Sequence, residues 1–466
     1  MSTAQKRIAF VVASSSRAVQ LLSFLHEDAA RAGFLVSVFC GDDVYQPLKD
    51  FFEKNNITRY PLVRVPQKSA LAVFNHLRYC TLGDFKNKYR EQFRRQDFAT
   101  SGFFLPYVVW PISRILSLVP FFRKTTFWDG LEVRLFGNHP RYQEIFAQAR
   151  FDWVAFPTPV LRSASELLLF TAAKKAGLKV TAVDEAFGQF VILPVSFRNF
   201  DRIFVWNKHT VNQAMQFHGL PEKAMAMSGP HRFDSYFKDV VPSREAFYAA
   251  HGLDAQKRII GFVLSGVDIE FAIIDALSER IKKGEFRDVQ VLVRPNPFMS
   301  KAEVYASRYA GVPGIVVSDP QAPVAYEGFT VLQSQMIDLG ALLKYSAVNL
   351  SQASTVAIEG AIFNTPALYH LFGLDYVEES VTAGREARHQ EAARREKYDE
   401  WPFIADVIAT GAVPVARSMD ELLQMIDDAL ASRSTLARER KLLVEKICTY
   451  TDGRSGERIM RALIES

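Results

Sequence analysis

Short apolar runs of strand length alternate with helix-length stretches along most of this chain. A strand that runs parallel to its predecessor needs such a crossover, so the alternation predicts parallel sheets. The first unit is an apolar strand over 7–13, a "SSS" turn, an amphipathic helix over about 17–32 stopped by Gly33, and a strand over 34–40. Next come "DWVAF", a helix over 163–176, Gly177, "KVTAVDE", "DRIFVWN", another helix and "KAMAMSG". A second series begins near Arg258: strand "RIIGFVLSG", helix 269–283, strands "DVQVLVRPNP" and "GIVVSD", and a short helix around 339–345. The expected fold is α/β, with doubly wound sheets that bind ligands at the carboxyl ends of their strands.

A chain of 466 residues has room for two such domains. The expected division is 1–240, 241–450 and a C-terminal helix over 451–466, with the join around 234–258. Helices are expected over 419–432 and 435–450, and the charged run 386–397, "EARHQEAARREK", reads as a solvated helix face. One segment does not fit a plain Rossmann half. Residues 86–124 put a basic block before an apolar, aromatic block ending in Arg123 and Lys124. Pro106, Pro111, Pro120 and Arg114 interrupt the apolar block, which argues against a spanning helix. Two uses are open to it: peripheral contact with an anionic membrane, or packing on the N-terminal domain.

The formal charge of +5 suits an anionic ligand or membrane surface without demanding nucleic acid, and no nucleic-acid-binding motif occurs. Cys40, Cys80 and Cys448 are odd in number and far apart, which fits neither a disulfide framework nor a zinc site. The opening residues lack the apolar core and cleavage site of a signal peptide, so a cytoplasmic protein is expected.

The stretch 349–372, "NLSQASTVAIEGAIFNTPALYHLF", places hydroxyls at the start of a helix expected over 354–363, between two strands. Ser351, Ser354 and Thr355 with the first backbone N–H groups could hold a phosphate or pyrophosphate. Glu359, one turn deeper on nearly the same face, could accept ribose or sugar hydroxyls. The plain alternative is a capped helix. Arg294 and Asn296 end the strand "VLVRPNP", where Arg294 could clamp a phosphate. Ser265 and Gly266 end the series' first strand in a small turn.

In the N-terminal half, Asp184 and Glu185 end a strand, where a carboxylate could act as general base or merely cap a helix. "SGPHRFDSYF" carries His231, Arg232 and Asp234, and His231 is the second catalytic candidate, against a structural role in a turn. No Asp-x-Asp triplet and no His/Cys cluster occurs, so no metal site is expected. Helix dipole and cationic groups would then carry the charge of a leaving diphosphate.

"VDEAFGQFVILPVSFRNFDRIFVWN", "GLPEKAMAMSGPHRFDSYF", "VLVRPNP", "SQASTVAIEGAIFNTPAL" and "DGRSGERI" together resemble bacterial surface-polysaccharide glycosyltransferases of the GT-B type. They are also similar to the related UDP-N-acetylglucosamine 2-epimerases and CDP-glycerol transferases. The resemblance implies two facing Rossmann-like domains with a cleft, and metal-independent transfer from a sugar nucleotide held mainly by the C-terminal domain. It implies no cofactor, a nucleotide-sugar substrate, UDP-linked, and a lipid-linked or polysaccharide acceptor. By position, Ser354 and Thr355 would hold the diphosphate and Glu359 the ribose or sugar. Arg294 and Asn296 stand where many relatives have a histidine before the final proline, and "VDEAFGQF" departs from their Trp-Asp-Asn pattern. A sugar-nucleotide 2-epimerase and a catalytically silent glycan-binding scaffold are the alternatives to glycosyl transfer.

Overall fold

The computed structural model describes residues 5–13, 22, 25–66, 69–82, 105–159, 161, 163–192, 198–296, 302–319, 326, 331–374, 376 and 401–466. The "SSS" turn, the basic block over 86–104 and the charged run over 386–397 lie outside them. The chain divides into two units: residues 1–234 with 454–466, and residues 235–453.

The first unit is built on a seven-stranded sheet: β1 (Arg7–Val12), β2 (Leu35–Cys40), β3 (Thr58–Pro61), β4 (Trp153–Phe156), β5 (Lys179–Val183), β6 (Arg202–Val205) and β7 (Met225–Met227). The spatial order is β3-β2-β1-β4-β5-β6-β7, and every pairing is parallel. These strands read as near-continuous apolar runs because helices cover both faces. Thus Ile8 to Val12 are all buried. The crossover helix Ala164–Lys175 begins in a capping box: the Ser163 hydroxyl accepts the Glu166 N–H and the Glu166 carboxylate accepts the Ser163 N–H.

The second unit holds β8 (Arg258–Val263), β9 (Val289–Arg294), β10 (Ile315–Val317), β11 (Ser346–Ser351), β12 (Ala367–His370) and β13 (Val415–Ala416). Their order, β10-β9-β8-β11-β12-β13, is again wholly parallel. In each sheet the order reverses beside the first strand, so β8 and β11 flank a topological switch point, where doubly wound sheets open a ligand crevice. Gly261 lets these two strands approach. A Cβ there would lie 2.5 Å from Ser346 Oγ and 2.6 Å from Asn349 Oδ1.

Two helix boundaries differ from expectation. The helix expected from Ser354 begins at Val356, because the chain leaves β11 through Ala353 in a left-handed conformation, φ 41°, which delays the first turn. The helix expected over 339–345 starts earlier, spanning Val331–Tyr345. The C-terminal Ser455–Glu465 helix, expected as a segment of its own, belongs to the first unit.

Candidate functional site

At the switch point of the second unit, β8 runs into Leu264, Ser265 and Gly266, and β11 runs into Gln352, Ala353, Ser354 and Thr355. The two turns touch: Ser265 Oγ donates to the Gln352 carbonyl at 3.4 Å. Gly266 sits at φ 88°, a region open to glycine at no steric cost. The sequence-derived donor residues Ser265, Gly266, Ser351, Ser354 and Thr355 are therefore brought to one sheet edge.

The chemistry of each turn is distinct. At the β11 turn, Thr355 Oγ1 donates to Glu359 Oε1 at 3.0 Å, and Ser354 Oγ accepts the Val356 N–H at 3.4 Å. Tyr369, on neighbouring β12, donates its hydroxyl to the Ser354 carbonyl at 2.6 Å and pins the turn. Glu359 is buried. It lies near the Cys448 thiol, which burial, reinforced by the Glu359 charge, pushes upward in pKa. At the β8 turn, the Glu270 carboxylate takes the backbone donors. Its Oε1 accepts the Ser265 N–H at 2.6 Å and its Oε2 the Gly266 N–H at 2.9 Å. Tyr305 and His370 stand beside it, with Tyr305 Oη 3.5 Å from Oε2 and His370 Nε2 3.9 Å from Oε1, and all three side chains are buried. Sequence reasoning assigned Glu270 only to a helix. An acid two residues after "SGVD" is the available signal.

Arg294 does end β9 as expected, but its guanidinium turns into the second unit. It pairs with buried Asp338 and donates to the Gln335 carbonyl at 3.1 Å. Asp338 also accepts His251 Nε2 at 2.7 Å and the Tyr326 hydroxyl at 2.6 Å. Burial works against the Asp338 charge, yet the His251 hydrogen bond and the Arg294 charge prevail and hold its pKa down to about 2. Arg294 is the arm of a buried hub, and a phosphate clamp would have to break it. Asn296 follows, half-buried, past Pro295.

In the first unit, Asp184 follows β5, Trp206 follows β6 and His231 follows β7 after Gly229 (φ 84°) and Pro230. Three adjacent strands thus deliver them to one carboxyl edge. Trp206 organises the row: its Nε1 donates to the Asp184 carbonyl at 2.7 Å and its ring meets Phe233 at 5.2 Å between centroids. Burial pushes the Asp184 carboxyl well above the ordinary carboxylate range, toward its protonated form. Burial, with the Arg232 charge, pushes His231 down to about 3 and leaves it a neutral imidazole. The same burial thus shifts the two groups in opposite directions, Asp184 toward its protonated form and His231 toward the neutral imidazole. At the first sheet's own switch point, buried Thr158 donates to Gln189 Oε1 at 2.7 Å, a pair the sequence reading did not single out.

Residues 394–465 match the family model described as CDP-glycerol:poly(glycerophosphate) glycerophosphotransferase. No curated protein sequence matches the chain. Among solved structures, the chain is similar to the UDP-GlcNAc 2-epimerase of Neisseria meningitidis bound to UDP-GlcNAc, with TM-score 0.57, 11% identity, 99% of this chain and 100% of that one covered. The Methanocaldococcus jannaschii UDP-GlcNAc 2-epimerase, crystallised with UDP-GlcNAc and UDP, gives 0.52 at 13% identity over 99% and 100%. A glycosyltransferase from Rickettsia africae ESF-5 gives 0.51 at 10% identity over 100% of both chains. The chain therefore has the GT-B-like double Rossmann fold shared by these nucleotide-sugar epimerases and this glycosyltransferase, and residues 394–465 carry the match to the CDP-glycerol glycerophosphotransferase family model.

Proposed function

We propose that this protein is a glycosyltransferase that moves a sugar from a nucleoside-diphosphate donor to a lipid-linked or growing surface glycan. The observation that carries this reading is the pair of touching turns at the β8/β11 switch point, with Thr355 and Glu359 hydrogen-bonded to one another beside them. Neighbours of the same fold were crystallised with UDP-GlcNAc or UDP, which supports a nucleotide-sugar ligand. The Ser351–Thr355 turn would face the diphosphate, and the Glu359 carboxylate the ribose or sugar hydroxyls. Transfer would expel the nucleotide without a metal ion, its growing charge met by backbone N–H groups and hydroxyls. The reaction would take place on the cytoplasmic side of the membrane. In the first unit, Asp184 and His231 are the groups we assign to proton handling.

A second reading, sugar-nucleotide 2-epimerisation, is favoured by the two epimerases among the structural neighbours. A thermal-shift panel of UDP, CMP, CDP, GDP, their common sugar conjugates and CDP-glycerol tests the donor site, because a ligand that binds only the native state raises its melting temperature. Stabilisation by one nucleotide, lost in Glu359→Gln and Thr355→Val variants that remain folded, is the expected result. Nucleotide release that requires a glycan acceptor then supports transfer. Deuterium incorporation from solvent into UDP-N-acetylglucosamine without release supports epimerisation instead. Silence across the whole panel would overturn both readings and leave the scaffold alternative.

A further inference from the structure

The helix Leu105–Ser117 buries Val109 with Tyr79 and Cys80, but its later turns are inside out for a water-soluble protein. Its inward positions include Ser113 and Ser117, both buried, whose hydroxyls donate back to the carbonyls of Trp110 and Arg114 at 2.7 Å each. Its outward positions hold Trp110, Ile112 and Ile115, and the exposed apolar surface runs on through Leu118, Val119 and Phe121. The exposures of 66% at Ile115, 76% at Leu118 and 52% at Phe121 are those of side chains presented to the surroundings. A soluble helix buries its apolar stripe and shows its serines. Buried polar groups together with a contiguous exposed apolar patch are the informative departure, and such a patch marks an interaction surface.

The patch is held firmly. Beneath the short Pro120–Arg123 turn, buried Trp128 donates its Nε1 to the Phe122 carbonyl at 2.7 Å. Phe127 packs between, 4.7 Å from the Phe121 ring and 5.5 Å from Trp128. Its charge has one sign: residues 105–124 contain Arg114, Arg123 and Lys124 and no Asp or Glu. Arg114 lies over the Trp110 ring, 4.8 Å from its centroid. Nearby Asp129 and Glu132 are turned inward, where they pair with the buried guanidinium of Arg78. Among the described residues no helix is long and apolar enough to cross a membrane. Thirteen residues reach about 20 Å at ~1.5 Å per residue, short of a hydrocarbon core of roughly 30 Å.

We propose that this face lies on the anionic surface of a lipid bilayer, with Ile112, Ile115, Leu118 and Phe121 entering the interface and Arg114, Arg123 and Lys124 meeting the headgroups. The inference extends the proposed function by naming where its acceptor's membrane is met, and it stands or falls independently of the donor site, because lipid binding needs no nucleotide.

The chain supplies its own reporter. Of its five tryptophans, Trp128, Trp153, Trp206 and Trp401 are buried, and Trp110 is exposed. The experiment mixes the full chain with vesicles of phosphatidylcholine alone or enriched in phosphatidylglycerol, each with and without brominated acyl chains. Sedimentation with the anionic vesicles and quenching of Trp110 by the brominated lipid are expected, both weakening as salt is raised. Ile115→Ser and Leu118→Ser should each reduce partitioning by about tenfold or more. Trp110→Phe should keep the binding and lose the quenching. Absence of binding to anionic vesicles would overturn the proposal, as would unchanged binding by the double serine variant. So would a solution dimer that hides Trp110 from an aqueous quencher in the wild type but not in that variant.

Discussion

Glu270 Oε1 accepts the backbone N–H of Ser265 at 2.6 Å, so a carboxylate from within the chain occupies the place that a strand-to-helix turn ordinarily offers to a phosphate oxygen. Those N–H groups are thereby spent on closing the β8 turn, and the neighbouring β11 turn is left to meet a ligand. Glu270→Gln keeps the shape, removes the charge and brings an amide against backbone donors. Its expected cost is about 1–3 kcal/mol in denaturant unfolding, from buried donors left poorly paired. The same variant removes a negative charge beside the proposed diphosphate position. A nucleotide that stabilises the wild type should therefore raise the melting temperature of the folded variant further, and a smaller rise would place the diphosphate elsewhere.

The Arg294–Asp338 pair predicts a stability defect where a phosphate clamp predicts a binding defect. Removing the guanidinium leaves Asp338 buried with His251 and Tyr326 and without its main counter-charge. Arg294→Ala should lose about 3–5 kcal/mol, the range for breaking a buried ion pair from one side. At a temperature where Arg294→Lys remains folded, its affinity for a stabilising nucleotide should match the wild type by calorimetry. A large affinity loss with an unchanged melting temperature would restore the clamp.

Asp184 and His231 should bend the pH profile of stability in opposite directions. The native Asp184 keeps a proton that the unfolded chain releases near 3.8, so its contribution is lost as the pH rises above that value. The native His231 stays neutral down to about 3, whereas the unfolded imidazole takes a proton near 6.5, so stability is lost as the pH falls from 6.5 toward 3. In urea titrations across this range, Asp184→Asn should gain on the wild type as the pH climbs from 4 to 7. His231→Gln should gain on it as the pH falls below 6.5. Parallel curves for Asp184→Asn would mean that the native carboxylate is already ionised.

Much of the fold was legible because a parallel sheet covered on both faces writes its strands as apolar runs. Arg7–Val12, Arg258–Val263 and Val289–Arg294 were found this way. The strands that were missed are at or beside edges and lack such runs: Thr58–Pro61 reads "TRYP" and Val415–Ala416 has two residues. The switch-point residues were legible for a similar reason, since small and hydroxylated residues after an apolar run mark a turn at a strand's carboxyl end. Their partners were not. Asp338 lies 44 residues from Arg294 in the chain, and only the packed sheet brings them together. Nor could the pattern "WPISRILSLV" state which side of its helix faces inward, because the serines lie beneath it and the isoleucines outside.

The C-terminal helix supplies the last prediction. Asp234 reaches across 221 residues of sequence to accept the Ser455 N–H at 3.1 Å, and its other oxygen accepts the Gly456 N–H at 2.9 Å, serving as the cap that Arg454 does not provide. At the other end, Lys6 Nζ donates to the Ile464 carbonyl at 2.6 Å and Trp153 Nε1 to the Leu463 carbonyl at 3.1 Å. The helix is thus tied at both ends, at its start by Asp234 and at its finish to the first sheet through β4 and the residue before β1. Asp234→Ala should cost about 1–3 kcal/mol, since two donors lose a charged acceptor. Gly456→Ala should cost a similar amount, about 1–3 kcal/mol, because its Cβ would press on the Asp28 carboxylate. Hydrogen exchange locates the damage: amides of β1 and β4 should exchange faster in either variant while those of β8 and β9 keep their protection. Faster exchange spread equally over both sheets would show that the two units unfold as one, and the helix would then be a clasp on the whole chain.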